Sequence, residues 1–258
     1  MLYWFLKSII ARPLFSVWWR PWIEGEENIP ESGSAVMIAN HIAEGETVLL
    51  PAMLKRRLVF TPNTGLYTQP GLKGRILRWF LTAIRMVPLD RSGGRASADG
   101  MELIAQQLAD GEIVVMFPEG TRSPDGRLYR GRTGAARVVL NNRVPVIPVA
   151  VFDTKISKNR IGLPRLVRPG IRIGRPMDFS EYFGERNDRD TLRWVTDQMM
   201  NRVMELSGQT YVDVYSSAYK ASLRRGNPID APVLERPGLG RPLPPVPPVP
   251  PGNSTEAA

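Results

Sequence analysis

The sequence predicts an α/β fold in which a mixed, largely parallel sheet is flanked by helices. From about residue 22 to residue 223, short continuous apolar runs alternate with amphipathic stretches. Strands that are apolar at every position are buried on both faces, which is typical of sheets covered by helices on both sides. The length of 258 residues is sufficient for one sizeable domain and gives no clear sign of two.

Each element of this fold has its own pattern in the sequence. The predicted strands are three apolar runs, at residues 34–39, 113–117 and 144–152. The predicted helices are amphipathic stretches at residues 71–84, 96–109, 134–140 and 191–206. The last stretch has clear helical periodicity, because one stripe of it carries Leu192, Val195, Met199, Val203 and Leu206.

Residues 1–22 are dense in large apolar and aromatic side chains, four of them tryptophans. Three basic residues interrupt the segment, and Pro13 ends or kinks a helix there. These charges leave no run of about 20 apolar residues, as a spanning helix requires, and no small-residue cleavage site of a signal peptide follows. We expect a helical segment that lies in the membrane interface. The alternative is a helix packed on the protein's own core.

The composition changes again from Gly226 onward, where ten of the 24 prolines lie. A proline-rich segment of this kind cannot form a packed core. We therefore expect three regions: a membrane-associated helical segment over residues 1–22, a globular domain over residues 23–223, and an extended, disordered tail over residues 224–258.

The chain is strongly basic, with 34 Lys and Arg against 25 Asp and Glu, a net charge of +9. This charge favours anionic partners such as an acidic membrane surface, phosphorylated substrates or nucleic acid. We expect no nucleic-acid partner, because the aromatic residues cluster near the N-terminus instead of interleaving with basic residues. The absence of cysteine excludes disulfides and thiolate chemistry, and with a single histidine we expect no metal site.

That single histidine, His41, directly follows the predicted strand 34–39, and Glu44 and Glu46 follow it. Imidazole is the side chain best suited to take a proton near neutral pH, and a carboxylate can orient it. A histidine in this place can also cap the next helix or form hydrogen bonds in the core. Residues five apart lie about 140° apart on a straight helix, so Glu46 reaches His41 only if the histidine precedes the helix. On a regular helix Glu44 is the nearer acid.

A second block, Phe-Pro-Glu-Gly-Thr-Arg-Ser at residues 117–123, directly follows another predicted strand. In open sheets, ligands bind at the loops beyond the carboxyl ends of the strands. Guanidinium groups together with free backbone amides suit a phosphate, although Glu119 and Arg122 can also form a salt-bridged turn. A third block, Val-Pro-Leu-Asp-Arg, places Arg91 shortly before the helix at residues 96–109.

Four blocks in this order resemble those of the lysophospholipid acyltransferase family, and bacterial 1-acylglycerol-3-phosphate O-acyltransferases in particular. They are Asn-His with an acid five residues after the histidine, Val-Pro-Leu-Asp-Arg, Phe-Pro-Glu-Gly-Thr-Arg, and Val-Pro-Val-Ile-Pro-Val at residues 144–149. Residues 122–131 and 207–215 are similar to actinobacterial members. The resemblance covers roughly residues 23–220 and implies a glycerolphosphate acyltransferase-like fold.

The resemblance also implies roles for individual residues. His41 is the base that deprotonates the hydroxyl of the acceptor, which then attacks an acyl thioester, and Glu46 orients the imidazole. The family usually has aspartate at the position of Glu46, whereas the late acyltransferases of lipid A synthesis have glutamate. A further set is expected to bind the glycerol phosphate head: Arg91, Glu119, Gly120, Thr121 and Arg122.

By the same resemblance, the protein transfers a fatty acyl group from acyl-CoA or acyl carrier protein to 1-acylglycerol-3-phosphate. The product is phosphatidic acid, and the reaction needs no cofactor beyond the thioester. The expected location is the cytoplasmic face of a bacterial cell membrane, with peripheral or monotopic attachment to an anionic surface. Two alternatives are an acyltransferase for another lysophospholipid or a glycolipid, and an inactive membrane lipid-binding homologue.

Overall fold

Three sheets, of six, three and two strands, and the helices packed on them make up the part of the chain that the structure describes. A computed structural model of the protein describes residues 9, 12–60, 70–72, 74–75, 95–158, 164–165, 167–183 and 188–245. The predicted helix at residues 71–84 is seen only at 71–72 and 74–75, which are helical. Residues 1–8, 10 and 11 of the predicted N-terminal segment, Arg91 and residues 246–258 lie outside the described residues.

The α-helices are α1 (Arg12–Trp18), α2 (Glu46–Met53), α3 (Arg95–Ala109), α4 (Gly134–Asn142), α5 (Arg189–Ser207) and α6 (Ser216–Arg224). The strands of the first half are β1 (Trp22–Glu24), β2 (Ala35–Ala39), β3 (Leu58–Phe60), β4 (Ile113–Met116) and β5 (Leu128–Tyr129). Those of the second half are β6 (Val146–Phe152), β7 (Ser157–Lys158), β8 (Pro164–Arg165), β9 (Gly170–Ile173), β10 (Tyr211–Val212) and β11 (Val233–Leu234).

The main sheet has six strands in the order β1-β9-β6-β2-β4-β3. Its neighbouring strands are parallel except for the antiparallel pair β6 and β9. The predicted mixed, largely parallel sheet is therefore confirmed. The three strands predicted from apolar runs, β2, β4 and β6, lie next to one another, because strands without a polar face need neighbours and helices on every side.

The residues of each central strand alternate between two hydrophobic clusters, one on each face of the sheet. In β2, Val36 and Ile38 belong to the first cluster, whereas Met37 and Ala39 belong to the second. Side chains of α3, α4 and α5 complete the first cluster, and side chains of α2 complete the second. Phe15 of α1 also packs against the second cluster.

The parallel pairing of β2 with β4 determines where the functional loops lie. Both strands run in the same direction and are neighbours in the sheet, so the loops that follow them leave from the same edge. The first loop carries His41, and the second is the block at residues 117–123. This edge, at the carboxyl ends of the strands, is the place where open sheets bind their ligands.

Helix α1 has one packed side and one exposed side. Phe15 stacks on Trp19 at a ring-centroid distance of 4.5 Å and contacts the core, whereas Val17 and Trp18 are exposed. The N-terminal segment thus contains a core contact and an exposed apolar surface at the same time. In the part of the chain described, no helix is both long enough and apolar enough to span a bilayer.

The prediction of a disordered tail from residue 224 is wrong for residues 224–245. Strand β11 pairs antiparallel with β10, and β10 pairs parallel with β5, which makes a second sheet of three strands. The prolines are compatible with this pairing, because an edge strand needs hydrogen-bond donors on one side only. The C-terminal segment is therefore attached to the folded domain through β11.

A buried ion pair in α5 connects this segment to the rest of the fold. Arg193 donates to Asp197 Oδ1 (2.6 Å) and to the carbonyl oxygen of Gly131 (2.7 Å). Arg241, from the C-terminal segment, lies 3.3 Å from the other oxygen of Asp197. The Asp197 side chain is 2% exposed and that of Arg241 is 32% exposed. The aspartate thus balances a buried charge and also holds a surface segment.

Replacement of Asp197 by alanine is expected to lower the free energy of unfolding by about 3–5 kcal/mol, because Arg193 would stay buried without its counter-charge. In the control variant Arg241→Ala, the loss should be about 1 kcal/mol or less, since that pair is partly exposed. Urea unfolding followed by circular dichroism measures both values. Equal losses in the two variants would contradict this difference.

Candidate active site

His41 lies in the turn between β2 and α2, at the carboxyl edge of the sheet. Glu46 is the first residue of α2, and its side chain is fully buried. Its Oε1 accepts hydrogen bonds from the backbone amides of Ile42 (2.6 Å) and Ala43 (2.7 Å). The same oxygen lies 3.7 Å from Nδ1 of His41. The histidine precedes the helix and the acid lies within it, as the five-residue spacing requires for the two to meet.

The contact between His41 and Glu46 is electrostatic, because 3.7 Å is longer than a hydrogen bond of about 2.7–3.2 Å. Nδ1 is buried and has no hydrogen-bond partner among the described residues. Hydrogen bonds between catalytic groups are often long in the free protein and shorten when substrate binds. The carboxylate, held by two backbone amides, is in position to orient the ring and to stabilise positive charge on it.

The start of α2 is determined by a close approach of two backbone segments at Gly45. A Cβ atom at this position would lie 2.2 Å from the carbonyl oxygen of Thr154, in the loop after β6. Only glycine leaves enough room for such an approach. Because Gly45 directly precedes Glu46, this contact places the first residue of the helix opposite His41.

Glu44 has a different partner. Its Oε2 accepts a hydrogen bond of 2.8 Å from Nη1 of Arg122, and both side chains are exposed. The pKa of Glu44 lies below its ordinary value, first because its own backbone amide donates to the carboxylate and also because Arg122 does. Of the two acids that the sequence left open, the structure thus brings Glu46 to the imidazole and Glu44 to the arginine.

Glu119 was expected to bind the glycerol phosphate head, and the structure shows that its carboxyl group is buried. Its side chain is 1% exposed, and both carboxyl oxygens accept from backbone amides. Oε1 accepts from His41 (2.9 Å), and Oε2 accepts from Tyr129 (3.0 Å). Burial raises the pKa of Glu119 to about 8. The carboxyl group therefore joins the histidine turn to β5. The salt-bridged turn with Arg122 is also not formed, because Arg122 pairs with Glu44.

The loop at residues 117–123 also holds the carbonyl side of His41. The backbone amide of Ser123 donates to the carbonyl oxygen of His41 at 2.6 Å. Gly120 has a φ of +75°, a conformation that residues with a Cβ rarely adopt. The amide of Arg132 donates to the carbonyl oxygen of Pro118 at 2.7 Å, which closes the loop from its other side. His41 is thus held at both of its peptide groups by one loop.

Two residues that hold the histidine were not singled out from the sequence. The ring of Phe117 stacks on the imidazole of His41, with centroids 4.2 Å apart and planes inclined by 19°. Asn40 is buried and exchanges two hydrogen bonds with the backbone of Val151, of 2.8 and 3.1 Å. Asn40 also donates to the side chain of Gln209 at 2.8 Å. The available signal was the position of Asn40, a polar residue at the end of a strand that is otherwise apolar.

The other predicted head-group residues lie at the rim of the site. The Arg122 guanidinium is accessible and belongs to the same loop as Gly120 and Thr121. The hydroxyl of Thr121 lies 3.4 Å from the ammonium group of Lys220, a residue of α6. Arg91 lies outside the described residues, so its position relative to the site stays a prediction.

This arrangement has the chemistry needed to deprotonate a hydroxyl group on an anionic molecule. An imidazole oriented by a buried carboxylate can accept the proton, and an accessible guanidinium nearby can bind a phosphate. Within the described ranges, no three histidine or acidic side chains are grouped closely enough to hold a metal ion.

Comparison with known proteins agrees with the chemistry of this site. The family model described as Acyltransferase matches residues 20–152. A 1-acyl-sn-glycerol-3-phosphate acyltransferase of Haemophilus influenzae is 30% identical over 212 residues, which cover 77% of this chain and 82% of that protein. A chloroplast protein of the same description from Arabidopsis thaliana is 35% identical over 133 residues, or 51% of this chain. The present chain covers only 36% of the length of that plant protein.

A solved structure shares the fold. The crystal structure of the 1-acyl-sn-glycerophosphate acyltransferase from Thermotoga maritima superposes with a TM-score of 0.55 and 22% identity. The alignment covers 77% of this chain and 76% of the other. The resemblance carried by the four sequence blocks is thereby confirmed, and the chain belongs to the acyltransferase family.

Proposed function

We propose that this protein is a 1-acylglycerol-3-phosphate O-acyltransferase of phospholipid biosynthesis. It transfers a fatty acyl group from acyl-CoA or acyl carrier protein to the free hydroxyl of lysophosphatidate and yields phosphatidic acid. The observation that carries the proposal is the joint position of His41, Glu46 and Arg122 at one edge of the sheet. The relatives named above as 1-acyl-sn-glycerol-3-phosphate acyltransferases support the same reaction.

His41 acts as the general base. Because Nδ1 faces Glu46, Nε2 is the nitrogen that accepts the proton of the acceptor hydroxyl. The hydroxyl oxygen attacks the thioester carbonyl carbon, and a tetrahedral intermediate forms. Its collapse breaks the carbon–sulfur bond, and the departing thiolate takes the proton from the imidazolium. The thioester is already an activated acyl donor, so the reaction needs no metal and no further cofactor.

Glu46 stabilises the imidazolium as it forms. Two unit charges about 4 Å apart attract each other by about 4 kcal/mol at an effective dielectric constant of 20. The carboxylate is buried and held by two amides, so it has little freedom to move away from the ring. The glutamate therefore serves in the place where the family usually has an aspartate.

Arg122 binds the phosphate of the acceptor. A guanidinium can donate two parallel hydrogen bonds to phosphate oxygens. Its present partner, Glu44, is exposed, and an exposed ion pair contributes about 1 kcal/mol or less. A phosphate dianion can therefore replace this partner. Glu119 contributes by positioning, because its carboxyl group holds the backbone of the base.

The protein acts as a peripheral or monotopic protein on the cytoplasmic face of the bacterial membrane. Val17 and Trp18 of α1 are exposed, and α1 packs against α2, which carries the exposed Val48 and the buried Glu46. This apolar surface thus lies beside the helix that carries the acid of the site. The net charge of +9 adds attraction to an anionic membrane surface. We propose no nucleic-acid partner.

The first prediction concerns the base and its acid. His41→Ala should lower the rate of acyl transfer to lysophosphatidate by about 10²–10⁴-fold, because no other group takes the proton. Glu46→Ala should lower kcat within the same range, and the matched variant Glu44→Ala should keep kcat within a factor of about three. Initial rates with purified protein and a labelled acyl thioester measure all three.

Full activity in Glu46→Ala together with a loss in Glu44→Ala would reverse the assignment of the acid. If the unmodified protein transfers no acyl group to lysophosphatidate but acylates another lysophospholipid or a glycolipid, the acceptor is wrong. If the protein transfers no acyl group to any lysolipid, the remaining alternative is an inactive membrane lipid-binding homologue.

The second prediction concerns the buried carboxyl group. Because the pKa of Glu119 is higher in the folded protein, the folded state binds its proton more tightly than the unfolded state. This contribution to the free energy of unfolding is complete below a pH of about 4.5 and is lost as the pH rises through about 8. The stability of the unmodified protein relative to Glu119→Gln should therefore fall between these two pH values.

Urea unfolding at about pH 4.5, 6 and 8.5 measures this difference. The glutamine variant should also transfer acyl groups more slowly, because its NH₂ group would face one of the two backbone amide donors. A stability difference that is constant over this pH range would contradict the raised pKa.

The third prediction concerns the membrane. The double variant Val17→Glu and Trp18→Glu should lose most of its co-sedimentation with anionic liposomes, because both side chains are exposed and belong to the proposed contact. Leu103→Glu is the matched control, since Leu103 is exposed on α3, on the other face of the sheet. Equal binding of the two variants would contradict the proposed surface.

A further inference from the structure

Helix α6 and the residues before it are attached to the loop at residues 117–123 and to residues 130–132. The hydroxyl of Ser216 donates to the carbonyl oxygen of Arg122 at 3.0 Å, and Arg132 donates to the hydroxyl of Ser217 at 2.8 Å. The backbone amide of Arg130 donates to the carbonyl oxygen of Val214 at 3.1 Å. These contacts come from a part of the chain that lies beyond residues 20–152, the range matched by the family model.

Lys220, on this helix, brings a positive charge to the loop. Its ammonium group donates to the carbonyl oxygen of Arg122 and lies 3.4 Å from the hydroxyl of Thr121. Two acceptors leave at least one of the three ammonium protons for another partner. Among the described residues, no carboxylate lies within ion-pair distance of Lys220. The charge is thus held in place by neutral acceptors.

The surroundings of Lys220 do not favour its charge in the free protein. Desolvation lowers the pKa of Lys220, and the positive charges of Arg122 and Arg224 lower it further, whereas the Glu119 carboxyl group opposes this shift in part. Cations brought together in this way repel one another, and a bound anion converts this repulsion into attraction. A phosphomonoester, which carries up to two negative charges, is an anion of the required chemistry.

We propose that Lys220 binds the phosphate of the acceptor together with Arg122 and makes the site selective for a phosphomonoester. This inference rests on the proposed acyltransferase function and extends it to a residue outside the four sequence blocks. The two cations have complementary properties. The guanidinium gives directed pairs of hydrogen bonds, whereas the ammonium acts as a point charge that follows the phosphate as it settles.

The variant Ser216→Ala is the matched control that tests for a purely structural role of Lys220. Ser216 donates to the same carbonyl oxygen of Arg122, but it carries no charge. If Lys220 only holds the loop, then Ser216→Ala and Lys220→Met should have similar effects. If Lys220 binds phosphate, only Lys220→Met should affect acceptors that carry a phosphate.

The experiment compares lysophosphatidate with a monoacylglycerol of the same acyl chain, using the full-length protein and a fixed acyl thioester. Lys220→Met should raise the KM for lysophosphatidate by about tenfold or more, with kcat unchanged, because a hydrogen bond to a charged group is lost. The kinetics with monoacylglycerol should not change. Ser216→Ala should leave the KM for lysophosphatidate within about twofold, and Lys220→Arg should restore part of the loss.

A second measurement does not depend on turnover. Glycerol 3-phosphate should raise the Tm of the unmodified protein and of Ser216→Ala, and this shift should be smaller in Lys220→Met. An unchanged KM for lysophosphatidate in an active Lys220→Met variant, or equal effects of Lys220→Met and Ser216→Ala, would overturn the inference alone. If the unmodified protein transfers no acyl group, the proposed function fails. The Tm shifts then still decide whether Lys220 belongs to a phosphate site.

Discussion

The site depends on one buried carboxyl group, that of Glu119. Its two oxygens join backbone amides of the histidine turn and of β5, segments that are far apart in the sequence. A carboxyl group in the interior is costly unless both oxygens accept hydrogen bonds. Both oxygens can accept only when the histidine turn and β5 lie on either side of the carboxyl group. In this arrangement the amide of Ser123 donates to the carbonyl oxygen of His41. Burial of the Glu119 carboxyl group is therefore tolerated only in the arrangement that also holds His41 in place.

Much of the fold could be predicted because its central strands are apolar at every position. The runs that became β2, β4 and β6 differ from their surroundings in the sequence, and the helices between them have clear periodicity. Strands β5, β10 and β11, of two residues each, have no such pattern, since pairing in the folded chain alone defines them. Composition was misleading at residues 224–245, where prolines allow an extended edge strand.

The residues of the site could be found from the sequence, but their environments could not. The order of the blocks pointed to His41, Glu46 and Arg122, and their catalytic and binding roles stay predictions. The sequence did not decide whether Glu44 or Glu46 contacts His41, because the answer depends on where α2 begins. The close approach of Thr154 to Gly45 influences where this helix begins. A motif also does not show burial, so nothing in the sequence indicated that the Glu119 carboxyl group is buried and accepts from two backbone amides.

The hydrogen bond between Asn40 and Gln209 joins residues 169 positions apart in the sequence. This separation determines how late in synthesis the bond can form. During synthesis Asn40 is made early, whereas Gln209, which accepts its hydrogen bond, is made after most of the domain. At about 5–20 residues per second, the ribosome needs roughly ten seconds or more to cover this interval. The nascent chain therefore carries Asn40 without this partner for most of that interval, and the hydrogen bond can form only after Gln209 has been made.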